Sequence, residues 1–190
     1  HALFRQVLYE RTPGAVRAHL HRRVGAALAQ ERQAGVPVTP AELAMHFERG
    51  RELMRALRYY AEAAEAALLH FSPGECMSLT EIAMRLLDLA NKGTERNSLE
   101  IDLMTLRGMA AFHLLGVGSE ARDAFQRAYV LLDEIPQHPR RGLLLHNFGF
   151  VLCLRAEYAE ALALAERIEA LSGQAQDPVL LLGACTMRGH

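Results

Sequence analysis

Apolar positions recur along this chain at intervals of three and four residues nearly from end to end, and no stretch alternates apolar with polar as a half-buried strand does. The pattern predicts about ten helices joined by short connections. The first covers about residues 2–11 and stops before Pro13; the second, about 14–34, sets Val16, Leu20, Val24 and Leu28 on one stripe. Thr39-Pro40-Ala41-Glu42 then opens a helix, with Thr as N-cap, Pro at the first helical position and Glu at the third. It ends near Arg49-Gly50. Further helices are expected over about 52–71, 75–90, 98–115, 119–135, 140–155, 158–171 and 178–188. Ser72-Pro73-Gly74, Asn91-Lys92-Gly93, Gly116-Val117-Gly118 and the prolines Pro136 and Pro139 break the series. An all-α chain of helical hairpins accounts for this order most economically.

The later helices pair off in a repeating way. Gly149, Leu152, Tyr158, Ala161, Ala165 and Ile168 fall at the small-residue and aromatic offsets of a tetratricopeptide (TPR) hairpin, a unit of about 34 residues. Leu43, Ala44, Phe47, Ala56, Tyr60 and Ala63 fit the same pattern. Gly108, Ala121, Phe125 and Ala128 fit it with one extra residue in the turn. A glycine inside a helix costs ~1 kcal/mol relative to alanine, so mid-helix Gly108 and Gly149 call for an offsetting gain, and close approach of a neighbouring helix supplies one. Ala56→Ala121 spans 65 residues and Ala121→Ala161 spans 40, so the repeats are irregular. The expected fold is a right-handed, TPR-like helical-hairpin array, an α-solenoid.

HALFRQVLYER and RAHLHRRVGAAL, followed by AELAMHFERGRELMRALRYYAEAAEAAL, resemble a junction in bacterial STAND-type signalling ATPases, where an ATPase module and a winged-helix segment lead into a TPR-like sensor region. His1, Leu3, Arg5 and Tyr9 look like that family's H-x-L-x-R-x-x-x-Y helix, and Leu20, His21, Arg22, Val24 and Leu28 like its L-H-R-x-[IV]-x-x-x-L helix. The resemblance covers residues 1–70; beyond them only the TPR pattern persists. It implies that residues 1–35 close a winged-helix-like segment and that 36–190 form the repeat domain. It further implies a sensor or scaffold role in an ATP-dependent transcriptional regulator or in a multidomain nucleotide cyclase. A free-standing TPR adaptor is the remaining alternative.

Composition narrows the field. Apolar residues make up 51% and charged residues 23%, which excludes a disordered tail and a fibre. Net charge is −1, but residues 1–35 carry +4, six arginines against Glu10 and Glu31, and the rest carries −5. No aromatic or glycine-rich loop accompanies those arginines, so a solvated helix face is expected rather than a nucleic-acid surface. Cys76, Cys153 and Cys185 are too scattered for a disulfide framework and read as reduced thiols of a cytoplasmic protein. No apolar run is long enough for a membrane span and no signal peptide opens the chain. The chain begins without Met and ends without a helix stop, which reads as a fragment truncated at its C-terminus. The run Val179–Leu182 could then pair with a second copy, giving a homo-oligomer.

The chemistry-bearing patterns are sparse, and no cofactor is expected. The only lysine, Lys92, lacks a phosphate-cradling loop, and Gly116-x-Gly118 follows a helix rather than a strand. His19 and His21 point to different helix faces; His46, His113 and His146 read as packed or solvated rather than as ligands. Glu62 with Glu65, and Glu157 with Glu160, read as solvated helix faces. The chain itself is therefore not expected to be an enzyme. One surface stands out. In a TPR hairpin the first helix lines the concave groove, which places Asp102, Thr105, Met109, Phe112, Leu143, His146, Phe150 and Cys153 there. Such a groove suits a peptide, a protein partner or a small effector.

Overall fold

Helix starts and stops in this chain are written in local chemistry. In the computed structural model, which describes Tyr9 and residues 11–172 of the backbone and side chains to residue 168, the Thr39 hydroxyl accepts from the Glu42 backbone N–H at 3.2 Å. Pro40 takes the first helical position, as the sequence predicts. Eight helices and no strand occur among the described residues: α1 Gly14–Gln33, α2 Pro40–Arg49, α3 Leu53–Leu69, α4 Pro73–Leu87, α5 Thr94–Leu115, α6 Ser119–Leu131, α7 Arg141–Leu154 and α8 Tyr158–Ser172. The expected first and last helices, over 2–11 and 178–188, fall on or beyond the edges of the described residues, as do Cys185 and Val179–Leu182. Two predicted C-termini come early. After Leu87 and Leu131 the chain closes with three-residue turns (Leu89 N–H to Leu86 O, 3.0 Å; Glu134 N–H to Leu131 O, 3.1 Å).

Four helices end in the same paired motif, in which the third residue past the helix bonds back to the third-last carbonyl and its predecessor to the second-last. For α1 the left-handed position is Gly35. For α2, α3 and α7 it is Arg51, Phe71 and Ala156, with φ of 62°, 56° and 58°. Side chains at such angles cost on the order of 1 kcal/mol, and the hydrogen bonds they complete offset part of it.

Each helix packs on its chain neighbour; in addition α3 packs on α5 and α5 on α7. The core has two clusters, one from α1–α5 around Leu43, Phe47, Leu57, Leu87 and Leu103, the other from α5–α8 around Ile101, Phe125, Leu144, Leu152 and Ile168. α5 belongs to both. Most positions of the repeat pattern are buried, including Ala56, Ala121, Ala128, Ala161 and Ala165. Tyr158 departs from it, at 68% exposed. Gly108 lies against α6 so closely that a Cβ there would stand 2.6 Å from the Phe125 ring. The pattern casts α3 as the second helix of a hairpin with α2, yet α3 stands beside α5. It can do both because Ala56, Ala61, Ala63, Ala64 and Ala67 are all buried and let neighbours approach from two sides.

The stripe expected to bury α1 does not. Val16, Leu20 and Val24 remain 43–47% exposed, while Ala18, Gly25 and Ala29 are buried. The face of small residues wins because it lets α2 close in; the position of a Gly25 Cβ is 3.1 Å from the Phe47 ring.

Candidate ligand cleft

Where α3, α5 and the start of α7 come together they leave a cleft of about 460 Å³. Its wall is largely apolar, with Leu68 and Leu69 from α3, Phe71 and Pro73 from the α3–α4 turn, Leu106 and Met109 from α5, and Leu143 from α7. Phe71 sits at the left-handed position ending α3 and is 93% exposed. A bulky side chain in that conformation, presented to solvent, has no packing reason to be there. A second, wider depression of about 570 Å³ lies between α4, α5 and α6, but its wall is dominated by charged side chains such as Arg85, Arg107 and Glu120.

The polar end of the apolar cleft is a charge bridge across three helices. Arg140, just ahead of α7, donates through Nε to Asp102 of α5 at 2.7 Å and through Nη2 to Glu65 of α3 at 2.6 Å. Burial pushes the Asp102 carboxyl above its ordinary range, against the pull of Arg140 and His138. His138 is buried beside it, with Nε2 3.7 Å from Asp102. The Arg140 backbone N–H donates to His138 Nδ1 at 3.2 Å, and Nε2 lies 3.0 Å from Ser98 Oγ and 3.2 Å from Ser98 O. With Nδ1 accepting the Arg140 N–H, this pattern places a proton on Nε2, toward Ser98.

Of the eight groove residues expected from the sequence, Met109 and Leu143 line the cleft and Asp102 anchors its polar end. The other five do not line it. Thr105 is fully buried, its hydroxyl donating to Ile101 O at 2.7 Å. Phe112 and Phe150 meet edge to face, with ring centres 5.7 Å apart. His146 is half-buried, with a buried Nδ1 that has no hydrogen-bond partner among the described residues. Cys153 is half-buried against the second core cluster, and burial raises its thiol pKa. The reason on α5 is a rotation of one residue: the cleft stripe is Leu106, Met109 and His113, at spacings of three and four, with Asp102 one turn before it, not one that runs through Thr105 and Phe112.

Sequence reasoning missed Glu65, Arg140, His138 and Phe71. Glu62 and Glu65 are both partly exposed, and each also holds an arginine, Glu62 pairing with Arg32 of α1 and Glu65 with Arg140. Glu157 and Glu160 both pair with Arg122. An aromatic residue immediately before Ser72-Pro73 was the available hint for Phe71; nothing local marks a partner 75 positions away. His46, expected to be packed or solvated, contacts His21 across α1 and α2 with Nδ1 atoms 3.1 Å apart. Among the described residues no cluster of three or more His, Cys, Asp or Glu could hold a metal ion, and no helix is long and apolar enough to cross a membrane. Comparison with protein-family models, curated proteins and solved structures finds no match to this chain.

Proposed function

We propose that this chain is a non-catalytic binding scaffold: a TPR-like sensor region of a bacterial STAND-type signalling ATPase, most simply a transcriptional regulator. In this reading residues 1–35 close a winged-helix-like segment and 36–190 form the repeat array. The observation that carries the binding role is the apolar cleft between α3, α5 and α7, with Phe71 held exposed at its rim. Its walls come from three helices joined through α5, which packs on both α3 and α7, so a ligand in the cleft contacts the stack at several levels. A ligand that binds one arrangement of the stack better than another shifts the population toward it, and that shift is the signal. The contacts of each helix on the next and of α5 on α7, the first helices of two expected hairpins, support stacked hairpins, while α3 beside α5 departs from the assigned repeat.

The binding role is tested by selecting peptides and small molecules against the chain. Bound ligands are expected to be lost on Met109→Glu, which places a charge on the apolar wall. Retention of binding by that variant, or a selection that yields no ligand, overturns the role. The wider assignment is tested by the reading frame around this sequence. A phosphate-binding GxxxxGK[ST] loop upstream is expected; a start codon just ahead of residue 1 with no ATPase module overturns it.

A further inference from the structure

We infer that the cleft takes a small organic cation, an ammonium or guanidinium carried on an apolar body, and discriminates against the corresponding anion. This rests on the reading of the cleft as a binding site and goes further by naming the chemistry. The first argument is charge. Two carboxylates, Glu65 and Asp102, share one guanidinium, Arg140. With both carboxylates ionised the bridge carries one net negative charge, and Glu65 presents it at the edge of the apolar wall. Glu65 is 43% exposed, and its second oxygen, Oε1, has no partner among the described residues, so it can accept from an incoming N–H. An incoming carboxylate that reaches Arg140 comes beside Glu65 in the cleft wall, with Asp102 already holding the guanidinium from behind, and like charges at that range repel.

The second argument is size and shape. A volume of about 460 Å³ falls within the range typical of small-molecule sites. The third is Phe71. Its exposed ring stands at the open side of the cleft, held there by a backbone conformation that favours glycine. An aromatic face at the rim adds an attractive surface for a cation or for an apolar body.

The test uses the full chain at pH 8, where an ordinary histidine is neutral and ordinary carboxylates are ionised. Three probes share one body: 4-phenylbutylammonium, 4-phenylbutanol and 4-phenylbutyrate. Affinity is measured by calorimetry and location by the methyl NMR signal of Met109. The ammonium is expected to bind on the order of tenfold tighter than the carboxylate, with the alcohol between them. Glu65→Gln is expected to abolish the advantage of ammonium over alcohol. Phe71→Gly is expected to weaken all three probes without unfolding the chain. Equal affinities at Met109, or a preference for the carboxylate, overturn the inference while leaving a binding cleft. No perturbation of Met109 by any probe overturns the inference and the cleft reading together. Because the ordering of the three probes is read on the unaltered protein, the test does not depend on Glu65→Gln folding.

Discussion

Phe71 and Gly108 are mirror cases of one residue set against its backbone. Phe71 occupies a conformation meant for glycine, and its side chain touches little. Phe71→Gly is therefore expected to stabilise the fold by roughly 1 kcal/mol, read as a rise in the urea midpoint. A fall in stability would show that the ring packs in solution, and would weaken its assignment to the cleft. Gly108 occupies an ordinary helical position but leaves no room for a side chain against Phe125, which is itself buried. Gly108→Leu is expected to cost roughly 1–3 kcal/mol by overpacking, and an unchanged midpoint would contradict the close contact of α5 and α6. The sequence marked Gly108 through its place in the repeat pattern and through helix propensity, because a glycine kept inside a helix signals a missing volume. It could not mark Phe71, whose meaning depends on where α5 and α7 lie.

Between elements, buried charge and paired histidines do the joining. Glu100 of α5 is only 4% exposed and is gripped by Arg96 of its own helix and Arg127 of α6. Glu100→Leu leaves the largely buried Arg96 without its carboxylate, while half-exposed Arg127 can turn to water, and is expected to destabilise by roughly 1–3 kcal/mol; chemical denaturation reads it. At the other end of the chain α1 meets α2 through His21 and His46, which face Tyr9, Arg17, Arg49 and Glu42. Burial lowers both histidines from their ordinary value of 6.5. On His21 the charges of His46, Arg49 and Arg17 add to it; on His46 Arg49 adds and Glu42 opposes. Their folded pKa values lie below the unfolded one, so the unfolded chain binds these protons first as pH falls. Their contribution to stability is complete above about pH 6.5 and is lost as pH drops below it. Stability should fall between pH 6.5 and 5, and His21→Asn should flatten that slope. A variant with the wild-type slope would place the titration elsewhere among the histidines.

At the scale of the whole molecule, α5 decides how the fold holds together. Leu99, Leu103, Leu106 and Ala110 of this helix belong to the first core cluster; Ile101, Met104 and Ala111 belong to the second. Neither half can be lost without stripping one face of α5, so the described helices are expected to unfold as one cooperative unit. The chain has no Trp and five Tyr. Urea transitions followed by helical circular dichroism and by tyrosine fluorescence should therefore coincide. Separated midpoints would instead show an array that melts repeat by repeat, as nearest-neighbour stacking alone allows.

Local chemistry in the sequence determined the helices. Thr39-Pro40 as a start, Ser72-Pro73 and Gly116 as breaks, and apolar residues at spacings of three and four act within one or two turns, and so can be read without a partner. The same reasoning expected Asp102, Met109 and Leu143 together in one groove with five other residues; Met109 and Leu143 line the cleft, and Asp102 holds Arg140 at its polar end. Only the tertiary structure decided which side of each helix faces inward. On α1 a small-residue face displaced the larger apolar stripe, because burial depends on how near α2 can come. On α5 a rotation of one residue exchanged Thr105 for Leu106 and Phe112 for His113. The bridge from Glu65 through Arg140 to Asp102 joins residues that are distant in the chain. Its existence follows from the packing of α3, α5 and α7, and no spacing along the chain encodes it.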